Sequence, residues 1–594
     1  IGFIISIGLC LAVQIFASNK YLGFFLSVFF MMLLNILFRL MEWTNPLYIF
    51  NSGGPLMPYS DMNGFGHMPP VFFLFKTYWL AIVTCIAIVA IRFFPRGKEN
   101  RLKARFNLSR YSMQRPAKLS LLLSIIIASA LGSFIYYNIE VLNKYISPKQ
   151  LEHLQVDYEK QYKKYKKTLQ PRIVQSTVQV DIFPYERSLH VKGFYYLKNK
   201  HTVSIDTLFL NYDTEMGYKK IELSTPNKII EENTEIGLKL IKLSTPIAPG
   251  DSVKLDFELD YAPHGFKADD AQTDIVYNGT FINNKLFPSL GYNEDGELSA
   301  NTTRKKYGLK EKGRMAPVND SVGRMNTYIT NDADWIRFET TVSTSDDQIA
   351  IAPGYLQKEW TENGRRYFHY KMDCTILNFY SFMSARYEVK CDKWENPHDA
   401  HQPVNIEIYY HKGHEYDLDK MILSIKKSLD YYTKNFSPYQ HKQVRIIEFP
   451  KYHAFAQSFP NTIPYSESIG FIAKVDEKDP ESIDYPFYIT AHEVAHQWWA
   501  HQVIGGNVQG STLMSETMSQ YSALMVMEKE FGKPAMKKFL KYEMNTYLTQ
   551  RTKERKKELP LLLCENQQYI HYNKGSIVMY ALKDYIGEDT LNAA

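Results

Sequence analysis

His492 and His496 stand four residues apart in the stretch Ala-His-Glu-Val-Ala-His-Gln-Trp-Trp at positions 491–499, and Glu493 stands between them. If this stretch is helical, both imidazoles leave the same face one turn apart, and each can give a nitrogen to one zinc ion. Glu493 then points into the same cleft and can take a proton from a water molecule. The spacing therefore predicts metal-assisted hydrolysis, although histidines that merely pack in or on a helix would show the same pattern.

A catalytic zinc needs a third protein ligand, and two residues downstream are candidates. His501 follows His496 by five residues, which on a continuous helix turns it about 140° away from the ion. Glu516 is the better candidate, because glycines at 505, 506 and 510 break the helix and residues 512–529 are typical of a second one. An antiparallel return across that break predicts that Glu516 reaches the metal.

These residues resemble the aminopeptidase N and leukotriene A hydrolase family of zinc peptidases, which are gluzincins. The stretch at 492–499 is similar to that family's HELAHQWF, and Ser-Glu-Thr-Met-Ser-Gln-Tyr at 515–521 is similar to its NEGFAxY. The resemblance implies one catalytic zinc ion on His492, His496 and Glu516, with Glu493 as general base. Nineteen residues separate His496 from Glu516, where the family usually has one fewer, and we expect the extra residue in the glycine-rich turn.

Two further segments extend the resemblance. His-Tyr-Asn-Lys-Gly-Ser at 571–576 is similar to the family's YxKG segment, which implies that Tyr572 donates to the oxyanion formed at the peptide carbonyl; simple packing is the alternative for a lone tyrosine. Ser-Glu-Ser-Ile-Gly-Phe at 466–471 stands where the family carries GxMEN, which implies that Glu467 holds the α-ammonium group of the substrate. This second match is partial, because Ser468 replaces asparagine, and a solvated loop carboxylate is the alternative for Glu467.

Composition excludes some classes of function. The 594 residues have room for two to four domains, and 69 basic against 63 acidic residues give no argument for a nucleic-acid partner. There are five cysteines and no Cys-x-x-Cys pair, so a thiolate zinc site is not expected. Cys374 and Cys391 pair across neighbouring strands in an oxidising compartment, or stay as two free thiols.

Residues 1–140 are predicted to form a transmembrane region with four helices. Four apolar stretches, at about 1–17, 21–38, 71–91 and 119–137, approach the 20 or so residues that cross a bilayer. The loop 92–118 carries nine Lys and Arg residues, whereas 42–68 carries none. Because basic loops stay inside, we expect 92–118 to be cytoplasmic and the chain after the fourth span to be extracytoplasmic, at a bacterial inner membrane.

A helical stalk is predicted over 141–171. Ser147 and Pro148 form a good helix start. An apolar stripe then recurs at helical spacing, which indicates packing against the next domain rather than a dimerising coil; it comprises Leu151, Leu154, Tyr158, Tyr162, Tyr165 and Leu169.

Residues 172–398 are predicted to form an antiparallel β-rich domain, saddle-like in the family, because apolar residues alternate with a period of two. Asn363-Gly364 reads as a tight hairpin. Residues 399–594 resemble a thermolysin-like α+β peptidase domain, with strands at 404–410 and 444–448, a helix at 418–435, a short strand at 471–473 and the zinc helix from about 485. Since the family continues with further helices, we expect a fragment of a longer polypeptide.

The sequence thus predicts a membrane-anchored zinc aminopeptidase that releases N-terminal residues from peptides with a free N-terminus. A zinc endopeptidase is one alternative. Another is a transporter-associated subunit, similar to bacterial fusions of an ABC-transporter permease with an aminopeptidase, in which the peptidase domain processes or only binds a peptide. No nucleotide-binding P-loop occurs in the sequence, so a transporter ATPase would be a separate chain.

Overall fold

The computed structural model of the chain describes residues 1–17, 19–94, 113–397, 403–476, 478–479 and 481–594. These residues form two compact units, which are described separately. The first unit comprises Ile1–Tyr59, Phe65–Gln155 and Pro263–Thr273, and the second comprises Ser60–Gly64, Val156–Ala262 and Asp274–Ala594. Most of the basic loop predicted at 92–118 lies outside the described residues.

The described residues of the first unit form four apolar helices, which are α1 Gly2–Phe16, α2 Lys20–Leu40, α3 Pro69–Ile91 and α4 Arg115–Tyr136. A π-helical turn, Tyr137–Leu142, continues α4. Three of the segments are long and apolar enough to cross a membrane: Lys20–Leu40, Pro69–Ile91 and Arg115–Leu142.

Helix α1 differs from the prediction of a fourth span. It has 15 residues, and at about 1.5 Å per residue it reaches roughly 22 Å, short of the ~30 Å hydrocarbon core. The helix ends because Ala17 adopts an extended conformation, and Asn19 then caps α2 by accepting a hydrogen bond from the Leu22 N–H. The described chain therefore has three helices of spanning length and one shorter apolar helix.

The predicted stalk helix, α5, runs over Pro148–Tyr162. At its start the Ser147 Oγ accepts from the Gln150 N–H and the Gln150 Oε1 accepts from the Ser147 N–H, a reciprocal cap. Farther along, part of the apolar stripe packs as predicted on the next domain: Tyr158, Tyr162 and Tyr165 contact Phe209, Leu238, Leu240 and Tyr292. The Arg304 guanidinium donates to both oxygens of Glu159 beside this contact.

The β-rich part of the second unit follows. Its strands are β1 Arg172–Phe183, β2 Ser188–Lys198, β3 Ile205–Asn211, β4 Gly217–Leu223, β5 Asn227–Asn233, β6 Leu238–Ile247, β7 Ser252–Tyr261, β8 Thr280–Asn283, β9 Ser289–Leu290, β10 Ala333–Ser345, β11 Ile349–Ile351, β12 Tyr355–Glu362, β13 Arg365–Lys371, β14 Ile376–Leu377 and β15 Ser381–Ala385. A short helix, α6, spans Asn301–Lys306.

These strands form three sheets around a shared apolar core. The largest has the order β12-β13-β10-β1-β2-β7-β4, with β14 beside β10; the others are β11-β15-β8 and β5-β6-β3-β9. Pairing is antiparallel, as predicted, except that β1 runs parallel to β10. Asn363 and Gly364 both take positive φ, at 50° and 72°, and close the predicted hairpin between β12 and β13.

The remaining part of the second unit combines a four-stranded sheet with helices. Its strands, in the order β16-β17-β18-β19, are Tyr387–Trp394, Val404–His411, Gln443–Phe449 and Thr462–Ser466. Its helices are α7 Leu418–Asn435, α8 Tyr485–Ala495, α9 Met518–Phe531, α10 Met536–Arg551, α11 Gly575–Ile586 and α12 Glu588–Ala593. The multi-domain fold predicted from the sequence is confirmed.

The strand predicted at 471–473 is wrong. Strand β19 ends at Ser466, and the Ile472 N–H then bonds to the Glu467 carbonyl, which closes a turn over 467–472. Phe471 is fully buried in the core of this region. The apolar run at 471–473 therefore contributes Phe471 to the core from a turn. The spacing of apolar residues alone does not distinguish such a turn from a short buried strand.

Candidate metal and catalytic site

Helix α8 carries the first part of the site. Asp484 caps it by accepting from the Phe487 N–H, and Pro486 occupies the first turn, where a missing N–H costs nothing. The helix is buried nearly all round, and His492 and Glu493 are only 7% and 6% exposed. Polar side chains in such a position need partners, so the neighbouring atoms decide what the site can hold.

The two histidines and Glu516 converge as predicted. The His492 and His496 Nε2 atoms are 3.0 Å apart, and the Glu516 Oε2 lies 3.6 Å from the first and 3.4 Å from the second. Ligand atoms about 2.0–2.1 Å from a tetrahedral zinc stand roughly 3.3 Å apart. The three atoms therefore fit one zinc ion.

Hydrogen bonds around the triad orient its ligand atoms. The His496 Nδ1 lies 3.2 Å from the Trp499 carbonyl and 3.0 Å from the Ser519 hydroxyl, which places the ring proton there and leaves Nε2 free to bind a metal. The Glu516 Oε2 has no hydrogen-bond donor of its own although it is buried. Two imidazole nitrogens and one carboxylate oxygen that face one another at these distances form a donor set that zinc uses.

The electrostatics of this cleft also favour a cation. Burial alone would raise the pKa of Glu516, but the positive charge that His496 and His492 carry when protonated holds it well below 4.5. Burial would likewise lower the pKa of His496, yet Glu516 raises it to about 9. The cleft therefore stabilises positive charge beside the carboxylate, which is what a divalent ion supplies.

Glu493 and Tyr572 stand beside the triad. Burial raises the pKa of Glu493, and its Oε2 has no partner among the described residues, so one oxygen is free to accept a proton. The Tyr572 ring lies 5.8 Å from the His492 ring. Burial, with Glu516 adding to it, raises the pKa of Tyr572 well above 10, which keeps its hydroxyl a donor.

A cavity of about 600 Å³ opens onto this group. His492, Glu493 and Tyr572 line it together with residues from α10 and the segment before α11. Its wall is rich in tyrosine and side-chain amides and includes Tyr485, Tyr488, Gln520, Tyr542, Glu543 and Tyr569. A cavity of this volume is in the range of small-molecule binding sites.

Glu516 and Tyr572 both lie on π-helical turns, Leu513–Thr517 and Tyr569–Lys574. The two turns pack together, since the Thr517 hydroxyl donates to the His571 carbonyl at 2.6 Å. A Cβ at Gly575 would lie 2.6 Å from the Thr517 Oγ1, so only glycine permits this approach. A π-helical turn contains more residues than an α-helical turn. The turn Leu513–Thr517 is therefore a second position, besides the glycine-rich turn, that can accommodate the extra residue between His496 and Glu516.

His501 lies apart from the triad, as its spacing predicts. Its Nε2 lies 3.0 Å from the Ser458 carbonyl, and burial lowers its pKa to about 3. A neutral imidazole that donates to a backbone carbonyl in the core is a structural group.

Glu467 is not brought to the triad by any hydrogen bond or ion pair among the described residues. Its Oε1 accepts from the N–H groups of Asp61 and Lys451, at 3.0 and 3.2 Å, and its Oε2 accepts from the Met62 N–H at 3.1 Å. It clusters instead with His414 and Glu448. The ammonium-binding role of Glu467 stays a prediction.

Tyr328 is a neighbour of the site that the sequence did not indicate. Its hydroxyl donates to the Ser515 Oγ at 2.7 Å, and its N–H donates to the Gly505 carbonyl. Burial, with Glu516 adding to it, raises its pKa. A single tyrosine in a loop nearly 200 residues before Glu516 carries no local signal of this contact.

Comparison with known proteins identifies the second part of the chain. Residues 420–594 match the Peptidase family M1 domain, whereas no curated protein matches the sequence. Among solved structures, an M1 zinc metallopeptidase from Deinococcus radiodurans is similar at 13% identity over 71% of this chain and 85% of that chain, with a TM-score of 0.47. A mutant of it bound to a Tyr-Ser-Ala substrate, and a two-domain M1 zinc metallopeptidase mutant bound to L-tryptophan, give the same values.

The matched residues include the histidine pair, Glu493, Glu516 and Tyr572, so the match confirms the family predicted from these motifs. The match to the Peptidase family M1 domain is therefore confined to residues 420–594, which are less than half of the chain.

Proposed function

We propose that this chain is a membrane-anchored zinc aminopeptidase. The observation that carries the proposal is the convergence of His492, His496 and Glu516, with donor atoms 3.0–3.6 Å apart. His492, Glu493 and Tyr572 also line one cavity. Each of these side chains is of the type that metal-assisted peptide hydrolysis requires.

His492, His496 and Glu516 would hold the zinc ion, which when bound acts as a Lewis acid and lowers the pKa of water towards 7. Glu493 takes a proton from the attacking water through its unpartnered oxygen and later passes it to the leaving amine. Burial raises its pKa, which favours uptake of the proton from water over the situation of a solvent-exposed carboxylate.

Tyr572 stabilises the charge that develops on the peptide carbonyl oxygen. Its pKa is held well above 10 by burial, so the hydroxyl remains protonated and donates a hydrogen bond throughout the reaction. In a buried cleft such a donor acts with little competition from water. The π-helical turn that carries Tyr572 packs on the turn that carries Glu516, which fixes the donor relative to the metal ligands.

The membrane anchor is the set of three long apolar helices, Lys20–Leu40, Pro69–Ile91 and Arg115–Leu142. Nine basic residues in the 92–118 loop favour a cytoplasmic position for that loop and an extracytoplasmic position for the peptidase domain, by the positive-inside rule. Protease accessibility in sealed vesicles of known orientation tests this topology. Digestion of residues 420–594 only after the inner face is opened would refute it.

Release of residues from a free N-terminus requires a group that recognises the α-ammonium, and Glu467 is the residue that the sequence resemblance offers. Matched peptides with free and N-acetylated termini test the exopeptidase activity directly, with bound zinc measured on the same sample. Equal hydrolysis of both peptides would indicate an endopeptidase. If Glu467 binds the ammonium group, Glu467→Ala slows only the free peptide; a change that affects both alike would place its role elsewhere.

A further inference from the structure

We infer that Glu543 is a positioning residue that holds the three catalytic elements of the site in register. This inference rests on the proposed peptidase function. Glu543 lies on α10, and its side chain is 1% exposed. It is not a metal ligand in the triad, and the sequence alone gave no reason to single it out.

The carboxylate of Glu543 receives hydrogen bonds from three separate elements. The Tyr488 hydroxyl and the Gln520 amide donate to its Oε1 at 2.6 and 3.0 Å. The Asn573 amide donates to its Oε2 at 2.6 Å. Both oxygens are therefore used, and the three donors share no secondary-structure element.

Each of the three donors lies within four residues of a site residue in the sequence. Tyr488 precedes His492 by four residues on α8, one helical turn away. Gln520 follows Glu516 by four residues, near the start of α9. Asn573 follows Tyr572 directly on its π-helical turn. One carboxylate thus links the element of His492 and Glu493, the element of Glu516 and the element of Tyr572.

A buried carboxylate is a costly way to connect helices, because desolvation penalises the charge. Burial indeed raises the pKa of Glu543, while the hydrogen bonds from Tyr488, Asn573 and Gln520 oppose that rise. Met536 and Phe539 already provide apolar contacts for the buried face of α10. The Glu543 carboxylate adds directional hydrogen bonds, which apolar contacts do not provide, and these bonds connect α10 to all three of the elements that carry the donors.

Glu543→Gln tests the inference with little change in volume. The glutamine NH2 group must face at least one of the three donors, so one catalytic element loses its hold. We expect kcat to fall up to about 10²-fold, as small misplacements of catalytic groups do, with KM nearly unchanged. Zinc bound per chain should stay at the wild-type value, because the triad itself is intact.

A matched control separates positioning from general stability. Glu528, on α9, is like Glu543 a carboxylate that accepts a hydrogen bond from a tyrosine, the Tyr580 hydroxyl at 2.5 Å. It also accepts a hydrogen bond from the Lys583 Nζ at 2.8 Å. Among the residues that the structure describes, its side chain has no hydrogen bond to α8 or to the Tyr572 turn. We expect Glu528→Gln to lower the melting temperature while keeping the kcat of zinc-loaded protein.

A double-mutant cycle identifies the route of the effect. Asn573→Ala should lower kcat on its own and lower it little further in the Glu543→Gln background, because both remove the same bond. The inference is overturned if Glu543→Gln keeps wild-type kcat, if it raises KM alone, or if the two losses simply multiply. An inactive, zinc-loaded wild-type protein would refute the proposed function instead.

Discussion

Among the described residues of the second unit, two clusters contain a set of histidine and glutamate side chains whose ligand-type atoms lie within 4.8 Å of one another. One is His492, His496 and Glu516, and the other is His414, Glu448 and Glu467, which we call the 448 cluster. By residue type both resemble metal sites. They differ in what the oxygen and nitrogen atoms already bind.

In the 448 cluster every carboxylate oxygen has a donor. The Glu448 Oε1 lies 2.5 Å from the His414 Nδ1, and its Oε2 accepts from the His411 N–H at 2.5 Å. Backbone N–H groups occupy both oxygens of Glu467. A metal ion there would have to displace these bonds, and each buried donor left behind would cost about 1–3 kcal/mol.

The triad shows the opposite arrangement. The Glu516 Oε2 has no donor and faces two ring nitrogens, and the Glu493 Oε2 beside it is also unpartnered. Buried acceptors are rarely left unsatisfied without a functional reason. The two clusters therefore differ in whether a carboxylate oxygen still lacks a donor, and this difference favours the triad over the 448 cluster as the place for a metal ion.

The largest effect is expected from removing one carboxylate of each cluster. Glu516→Gln replaces a charged ligand by a weak neutral one, so zinc bound per chain and peptidase activity should both fall, by more than the 10–100-fold typical of outer-shell partners. Glu448→Gln should leave the zinc content unchanged. Metal analysis after mild dialysis measures both, and zinc loss from the Glu448 variant alone would reverse the assignment.

The next effect separates metal binding from proton transfer. Glu493→Gln removes the group that accepts and returns the proton, so kcat should fall about 10²–10⁴-fold. Zinc content should not change, because Glu493 is outside the triad. Single-turnover hydrolysis on metal-quantified protein provides the measurement. Residual activity near that of the wild type would assign the base to another residue.

A smaller loss is expected from Tyr572→Phe, which keeps the ring beside His492 and deletes only the hydroxyl. Loss of one oxyanion donor costs about 2.7–4 kcal/mol of transition-state stabilisation, or 10²–10³ in kcat. KM and zinc content should stay close to the wild type. Tyr328→Phe is the matched control, since that hydroxyl bonds to Ser515. An equal loss in both variants would show that the effect is structural.

The parts of the site that could be predicted are those with local sequence signals. The helix at 418–435 was predicted with the bounds that the structure has, because its apolar residues repeat with helical period. The start of α8 follows from Asp484 and Pro486. The triad follows from a four-residue spacing and a glycine-rich break between two helices.

The rest depends on contacts between distant segments. The π-helical turns arise where Thr517 approaches His571, which no window around either residue reveals. The donors to Glu467 at positions 61 and 62 are about 400 residues away in sequence. The run at 471–473 is apolar enough for a strand, but its Phe471 reaches the core from a turn. Local pattern predicts elements, whereas satisfaction of buried polar atoms requires the folded chain.

We expect the 448 cluster to contribute to the pH dependence of the free energy of unfolding. Burial raises the pKa of Glu448 to about 7, and its hydrogen bond to His414 only partly offsets this. Burial would lower the pKa of His414, but Glu448, Glu467 and Asp61 raise it above 6.5. Both groups thus hold protons in the folded state that the unfolded chain releases at lower pH.

The sign of the effect follows from this proton uptake. The stability that the 448 cluster contributes is present in full below the unfolded pKa of Glu448, near 4.5, and is lost as pH rises through about 7. We expect the melting temperature of the wild type relative to that of Glu448→Gln to fall from pH 5 to pH 8, whereas its difference from that of Glu528→Gln stays constant over that range. Thermal unfolding followed by intrinsic fluorescence measures the slopes. A variant at Glu448 that keeps the wild-type slope would mean that this cluster, despite its satisfied oxygens, does not exchange protons on unfolding.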